Sequence, residues 1–226
     1  MIDSWLLALL QFSDGLFPAG GFAHSFGLET YVQSGRVRDR AGLEAFLVAH
    51  LEGSAGPCDA AAAARAAETS TLALWAEIDA RLDAMKCVPE FRAASRQMGG
   101  QTIRAAAALE PDPLLVALLT AVEAGGTPGH HAMVFGAVTG RAGIEPEVVA
   151  TAYLYSGTAL LVNAALRLLP LGQVEGQRTL ASMRPRIMRL GARAACAKLE
   201  DLWSFAPGLE RAGVAHAELE SRLFRS

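Results

Sequence analysis

The chain has 226 residues, with 20 Lys+Arg against 23 Asp+Glu and a formal net charge of −3. Near-neutrality excludes a globally basic nucleic-acid binder, and the length is enough to bury a core without disulfide or metal staples. Charged residues are 19% and the hydrophobic class 52% of the chain; a usual soluble domain is about 25% charged, so the apolar surplus points to surfaces buried against partner proteins.

Taken in order, the chain reads as helices. The N-terminal apolar run follows Asp3 rather than a basic region, which argues against a secretory signal. A Gly/Pro-rich loop from Ser13 to Gly21 leads into a helix predicted to begin near Ala23 and stop at Gly35. Leu43, Phe46, Leu47, His50 and Leu51 then recur at helical spacing, with Asp39 placed as the N-cap. Gly53 to Pro57 reads as a joint. The run from Ala60 to Ala67 is a strong helix former that permits close helix–helix approach.

Trp75, Ile78, Leu82 and Met85 mark another amphipathic segment, and Leu114, Leu115, Leu118, Leu119 and Val122 a further stripe. Breaks are predicted at Pro89, Pro111 to Pro113, Gly125 to Gly129, Pro146, Pro170 to Gly172 and Pro207. Val148 to Leu166 lacks a formal charge over 19 residues, close to the length that spans a bilayer. Its Thr151, Tyr153, Tyr155, Ser156, Gly157, Thr158 and Asn163 make a helix inside a soluble bundle the better reading. Pro185 lies in an otherwise helical stretch and predicts a kink or two shorter helices. No run alternates cleanly between hairpin turn residues. The expectation is an all-α bundle of about nine or ten helices, forming a single domain over residues 1–226 with no membrane span.

Chemistry-bearing patterns are sparse. The loop around Gly20 and Gly21 lacks the Gly-Lys-Ser/Thr ending of a phosphate loop, and no strand precedes it as in a dinucleotide fingerprint. It is either a docking turn or a partner-facing loop. Of the five histidines, His50 shares an apolar face with Leu43, Phe46 and Leu47 and reads as a half-buried core residue. His130 and His131 are adjacent, so their side chains diverge on a helix. No His-x-x-x-His or Cys-x-x-Cys pair occurs, so a tight, closed metal site is not expected.

No hydrolase elbow, kinase set or His-Glu-x-x-His motif occurs either. Cys58, Cys87 and Cys196 are odd in number and widely spaced, which fits a reducing cytosolic setting better than a disulfide framework. Cys58, beside Pro57, reads as lying at a helix start, where a thiolate is favoured, but no histidine is near it in sequence. Arg186, Arg189 and Arg193 share a helix face, either a solvated stripe or a patch for an acidic partner. Arg222-Leu-Phe-Arg-Ser226 ends the sequence with apolar residues between arginines, to dock on the body or insert into a partner.

Four blocks together resemble the UreF family of urease accessory proteins: Phe17-Pro-Ala-Gly-Gly-Phe-Ala-His-Ser-Phe-Gly-Leu-Glu29, Ser95-Arg-Gln-Met-Gly99, His131-Ala-Met-Val-Phe-Gly136 and Ala165-Leu-Arg-Leu-Leu-Pro-Leu-Gly-Gln173. The Arg222 to Ser226 ending is similar too. The resemblance implies an all-α, non-enzymatic, cytoplasmic homodimer that helps load nickel into apo-urease. It implies an adaptor bridging UreD (also called UreH) to the GTPase UreG, with no permanently bound cofactor and transient nickel passage. The other reading is a purely structural scaffold that opens apo-urease outside the nickel path. On the GTPase side, Gly20, Gly21, His24, Ser25, Glu29, Arg222 and Phe224 are the candidates. Arg167, Gln173 and Gln177 are candidates for a polar lining or a fold-holding network, since buried polar groups need partners. His24, His130 and His131 are the candidates for weak metal ligation.

Overall fold

The computed structural model describes residues 4–109 and 112–226, so Asp3 and the break predicted at Pro111 lie outside the described residues. Among the described residues eleven α-helical segments follow one another. They are α1 (Ser4–Ser13), α2 (Leu28–Gln33), α3 (Arg40–His50), α4 (Ala61–Glu68), α5 (Leu72–Met85), α6 (Pro89–Leu109), α7 (Pro113–Glu123), α8 (His131–Arg141), α9 (Pro146–Leu168), α10 (Gln173–Cys196) and α11 (Pro207–His216). A π-helical stretch, Leu51–Ala60, joins α3 to α4 in one rod. No strand occurs among the described residues, as expected for an all-α bundle.

Local chemistry sets most boundaries. Asp39 caps α3 by accepting from the Gly42 amide at 2.8 Å, and Asp112 caps α7 by accepting from the Leu114 and Leu115 amides. Proline opens α7, α9 and α11, where its missing N–H has no intrahelical partner to lose.

Three expectations change. No helix starts at Ala23: a short 3₁₀ turn covers Gly21–Ala23, and α2 begins at Leu28 because Phe26 (φ 49°) and Gly27 (φ 87°) are left-handed. Gly53 to Pro57 is not a joint. The wider π turn carries Pro57 without breaking the rod, and the glycines serve contact: a Cβ on Gly53 would sit 2.8 Å from the Phe205 carbonyl oxygen. Pro185 does not divide α10. It is exposed, as is Ala181 four residues before it, so the carbonyl it leaves unpaired faces water.

The apolar helix α9 is central, packed by α10, α4, α8, α3, α2 and α1. It alone among the described helices is long and apolar enough to cross a membrane, and its Val149, Leu154, Leu161 and Val162 are buried in the core. Beside it, α8 crosses the alanine-rich α4 backbone to backbone. A Cβ on Gly136 would overlap the Ala63 carbonyl, and one on Gly140 the Ala67 carbonyl. Ala60 to Ala64 and Ala66 are buried, so the close approach expected of this run is realised. Trp75 of α5, fully buried, donates from Nε1 to the Met133 carbonyl of α8 at 3.2 Å.

Gly136→Val is therefore expected to destabilise the fold by about 3 kcal/mol, since backbone cannot yield as a side chain can. Gly100→Ala, in α6 with open space around its Cβ position, is expected to stabilise by about 0.5–1 kcal/mol. Urea denaturation midpoints compare the two.

Candidate functional site

Two features stand out: a clamp between the glycine loop and the last residues of the sequence, and an internal cavity. The loop preceding α2 and the segment from Arg222 to Ser226 are built into each other. The Ser226 carbonyl accepts from the Ser25 and Phe26 amides at 2.6 and 2.9 Å and from Ser25 Oγ at 2.8 Å. His24 Nδ1 lies 2.9 Å from Ser226 Oγ, and the Arg225 amide donates to the Ala23 carbonyl. Glu29, 2% exposed, accepts from the Leu223 amide at 2.7 Å and the Phe224 amide at 3.0 Å. Buried His216 meets carboxylates on both sides, Glu90 at 2.7 Å and Glu29 at 3.2 Å.

Phe224 is buried with the Arg167 guanidinium 4.4 Å from its ring centroid, and Arg167 also donates to the Phe22 carbonyl. Arg222 stays exposed and pairs with Glu90 at 3.3 Å.

The structure thus brings together most of the residues the sequence singled out, but with their polar atoms turned inward. His24, Ser25, Glu29 and Phe224 are buried within the chain, Gly20 and Gly21 are half-buried, and only Arg222 is exposed. Gly20 adopts a positive φ of 79°, and a Cβ on Gly21 would strike Leu160. Around them the exposed side chains are Leu16 (91%), Phe22 (76%) and Leu223. Gln173 and Gln177 do not join any interior network; both lie on the solvent-facing side of α10, because the buried stripe there runs through Gly176, Thr179 and Leu180. Arg186 and Arg189 pair with Glu52 of the π segment, so part of that stripe is held within the chain, while Arg193 is exposed.

The cavity, of about 290 Å³, has mostly apolar walls. Its lining reaches Asp14, Asn163 and Arg167 near the glycine loop, and Ser204 and Glu210 near the start of α11. Between them it is bounded by His50, Cys58, Asp59, Lys86, His131 and Tyr153. Asp59 and Lys86 form an ion pair of 2.6 Å with side chains only 10% and 15% exposed.

Burial pushes His50 and His131 down to about 4; both are half-buried, and the ring edges they keep face the cavity rather than bulk solvent. Burial likewise pushes the Cys58 thiol up to about 12 and raises Tyr153. Cys58 lies inside the π segment rather than at a helix start, so the thiolate expected there is not favoured. On Lys86, burial works to lower the titration point, but the Asp59 carboxylate outweighs it and the ammonium is held charged. Asp59, Lys86 and Tyr153 were missed in the sequence: the pair is joined across 27 positions and follows no helical repeat.

The histidines singled out for metal do not converge. His130 is held by Ser95 at 3.0 Å and Asp83 at 2.8 Å, with burial lowering its titration point. His131 faces Phe135 and Tyr153. His24 is tied to Ser226, its titration point lowered by burial and by Arg225. Among the described residues, no group of three or more His, Cys, Asp and Glu could hold a metal ion.

Fold and site together define an all-helical protein whose buried polar groups hold its own loop and tail in place and line an internal cavity. The UreF family model matches residues 37–184. Relatives carrying the description "Urease accessory protein UreF" align over nearly the whole of both chains. The Bacillus sp. (strain TB-90) protein is 32% identical over 98% of this chain and 99% of its own. That of Paenarthrobacter aurescens (strain TC1) is 31% identical over 100% of each, and that of Jannaschia sp. (strain CCS1) 33% identical over 98% and 94%. The chain belongs to the UreF family.

Glu29→Ala leaves the Leu223 and Phe224 amides without their acceptor and takes one of the two carboxylates from His216, which keeps Glu90, and is expected to cost about 2–4 kcal/mol. It should free the segment 222–226, measured as carboxypeptidase digestion that the unaltered chain resists.

His50 and His131 bind protons more readily unfolded, near 6.5, than folded, near 4. Their stabilisation is therefore complete above about pH 6.5 and is lost as pH falls toward 4. Between pH 7 and 5 the loss for the pair is on the order of 3 kcal/mol. A His50→Leu, His131→Phe chain should show a flatter urea midpoint over that range.

Proposed function

We propose that this chain acts in urease maturation as a non-catalytic adaptor in the cytoplasm. It joins UreD (UreH) and the GTPase UreG to apo-urease, and works as a homodimer. The observation that carries this reading is the single surface made by the glycine loop and the tail. Buried polar bonds fix its shape, while Leu16, Phe22, Leu223 and Arg222 remain outward. A rigid patch with apolar and arginine anchors is what a protein interface uses. In this reading Gly20, Gly21, His24, Ser25, Glu29 and Phe224 position the patch, and Arg222 touches the GTPase. Preference for one nucleotide state of the GTPase would come from differential contact at this patch, since only differential affinity shifts such an equilibrium.

Nickel is cargo in this reading, and the cavity supplies a route. Scattered imidazole, hydroxyl and carboxylate groups on its wall offer weak, transient ligation, which suits transfer better than tight capture, and no permanently bound cofactor is required.

The test is Arg222→Ala. A half-exposed ion pair contributes at most about 1 kcal/mol, so the fold and the docked tail should survive. Recovery of the GTPase in a pull-down should fall at least fivefold. Activation of apo-urease reconstituted with UreD, UreG and nickel should fall with it. Unchanged recovery sinks the assignment of this patch.

A further inference from the structure

The chain contains 18 arginines but only two lysines, Lys86 and Lys198. Lys198 lies near the surface turn after α10. Lys86 lies at the end of α5 on the cavity wall, against the Asp59 carboxylate. Every other formally charged side chain on the lining sits at its outer reaches: Asp14 and Arg167 are exposed, and Glu210 is half-exposed. Among the described residues Asp59 is thus the one buried anion on the interior wall, and a tethered ammonium covers it.

The mostly apolar wall that carries the pair also carries nitrogen and sulfur donors. His50 and His131 line the same cavity. So do Cys58 and Met85, whose sulfurs are 3.8 Å apart. These are neutral lone-pair donors, borderline to soft, that suit divalent transition-metal ions and suit Mg²⁺ or Ca²⁺ poorly. A lone carboxylate among such donors attracts a cation without caging it, in keeping with the absence of a three-ligand group among the described residues.

We propose that Asp59 is a way-station for a divalent transition-metal ion, and that Lys86 is its tethered stand-in, covering the carboxylate until an ion displaces it. That the ion is nickel rests on the reading of the cavity as a nickel route. The exchange involves no bond-making beyond coordination. The ammonium leaves Asp59 for solvent, still protonated, and the metal takes its place on the carboxylate oxygen. Lysine suits this and arginine would not: an ammonium is a compact charge on a flexible stem, whereas a guanidinium would fork onto both oxygens and stay. The remaining exposure of the Lys86 side chain, 15%, keeps solvent within reach of that stem. The pair also keeps the interior closed to stray cations when no metal-loaded partner is docked, because an arriving ion first meets a positive charge.

The test uses the purified full chain and NiCl₂ or CoCl₂, with binding read by calorimetry. Lys86→Gln should lower the dissociation constant at least tenfold relative to the unaltered chain. Adding Asp59→Asn to Lys86→Gln should return it to the starting value, and Lys86→Arg should not bind more tightly than the unaltered chain. Because an uncovered Asp59 could unsettle the fold, a second measurement uses the unaltered chain. Acetic anhydride labelling read by mass spectrometry compares Lys86 with Lys198 as an internal reference. Excess Ni²⁺ should raise the relative labelling of Lys86 at least threefold, and Mg²⁺ should not. A folded Lys86→Gln chain that binds no more tightly overturns the proposal, as does double-variant binding as tight as that of Lys86→Gln, or Lys86 labelling that ignores nickel. None of these results touches the adaptor reading, which the GTPase pull-down decides separately.

Discussion

Where α8 crosses α4, two glycines bring backbone against backbone, and that crossing fixes one side of a cavity whose longest wall is α9. Each glycine inside a helix forfeits about 1 kcal/mol of propensity relative to alanine, but Gly136 and Gly140 stand where any side chain would strike α4. The buried alanines of α4 give the facing surface the same low profile. His131 is the first residue of α8, and Cys58 and Asp59 lie in the π segment within three residues of the start of α4, so these lining residues are placed by this one approach. The bond from Trp75 to Met133 ties in α5, whose end delivers Met85 and Lys86 to the same space.

Two buried carboxylates organise the periphery by a common device. Asp79, fully buried on α5, accepts from the Thr127 hydroxyl and from the Gly129 and His130 amides, and so fastens the loop before α8. Glu29 on α2 does the same for the tail. In each case backbone N–H groups supply the donors, and hydrogen bonds to a charged acceptor are the stronger kind. Both carboxylates are thus committed to holding backbone in place, in a chain whose relatives carry the description of urease accessory proteins.

Much of the fold was legible because helix ends are local chemistry. Asp39 and the prolines at positions 89, 113, 146 and 207 mark starts that the structure keeps. The joints that differ share a cause: glycine and proline suggest breaks, but tertiary contact decides. Gly53 is small because the Phe205 backbone lies against it. Pro57 is absorbed by a π turn, which leaves no mark in hydrophobic periodicity. At the site, residues 17–29 and 222–226 are each unusual in composition, and the fold joins them in one surface. Their mutual hydrogen bonds were invisible because nothing in a linear pattern links positions so far apart. Asp59 and Lys86 escaped for the same reason, with no helical spacing to pair them.

The pairing of His24 with Ser226 spans 202 positions. During synthesis the glycine loop emerges early, and its hydrogen-bonding partners arrive only after nearly all of the bundle has been made. Contacts this distant form late, since the intervening loop must close first. Until then the Ser25 and Phe26 amides lack the Ser226 carbonyl that accepts from them, and the loop is left without its fixed shape. The surface formed by the glycine loop and the tail is thus among the last parts of the molecule to acquire its shape.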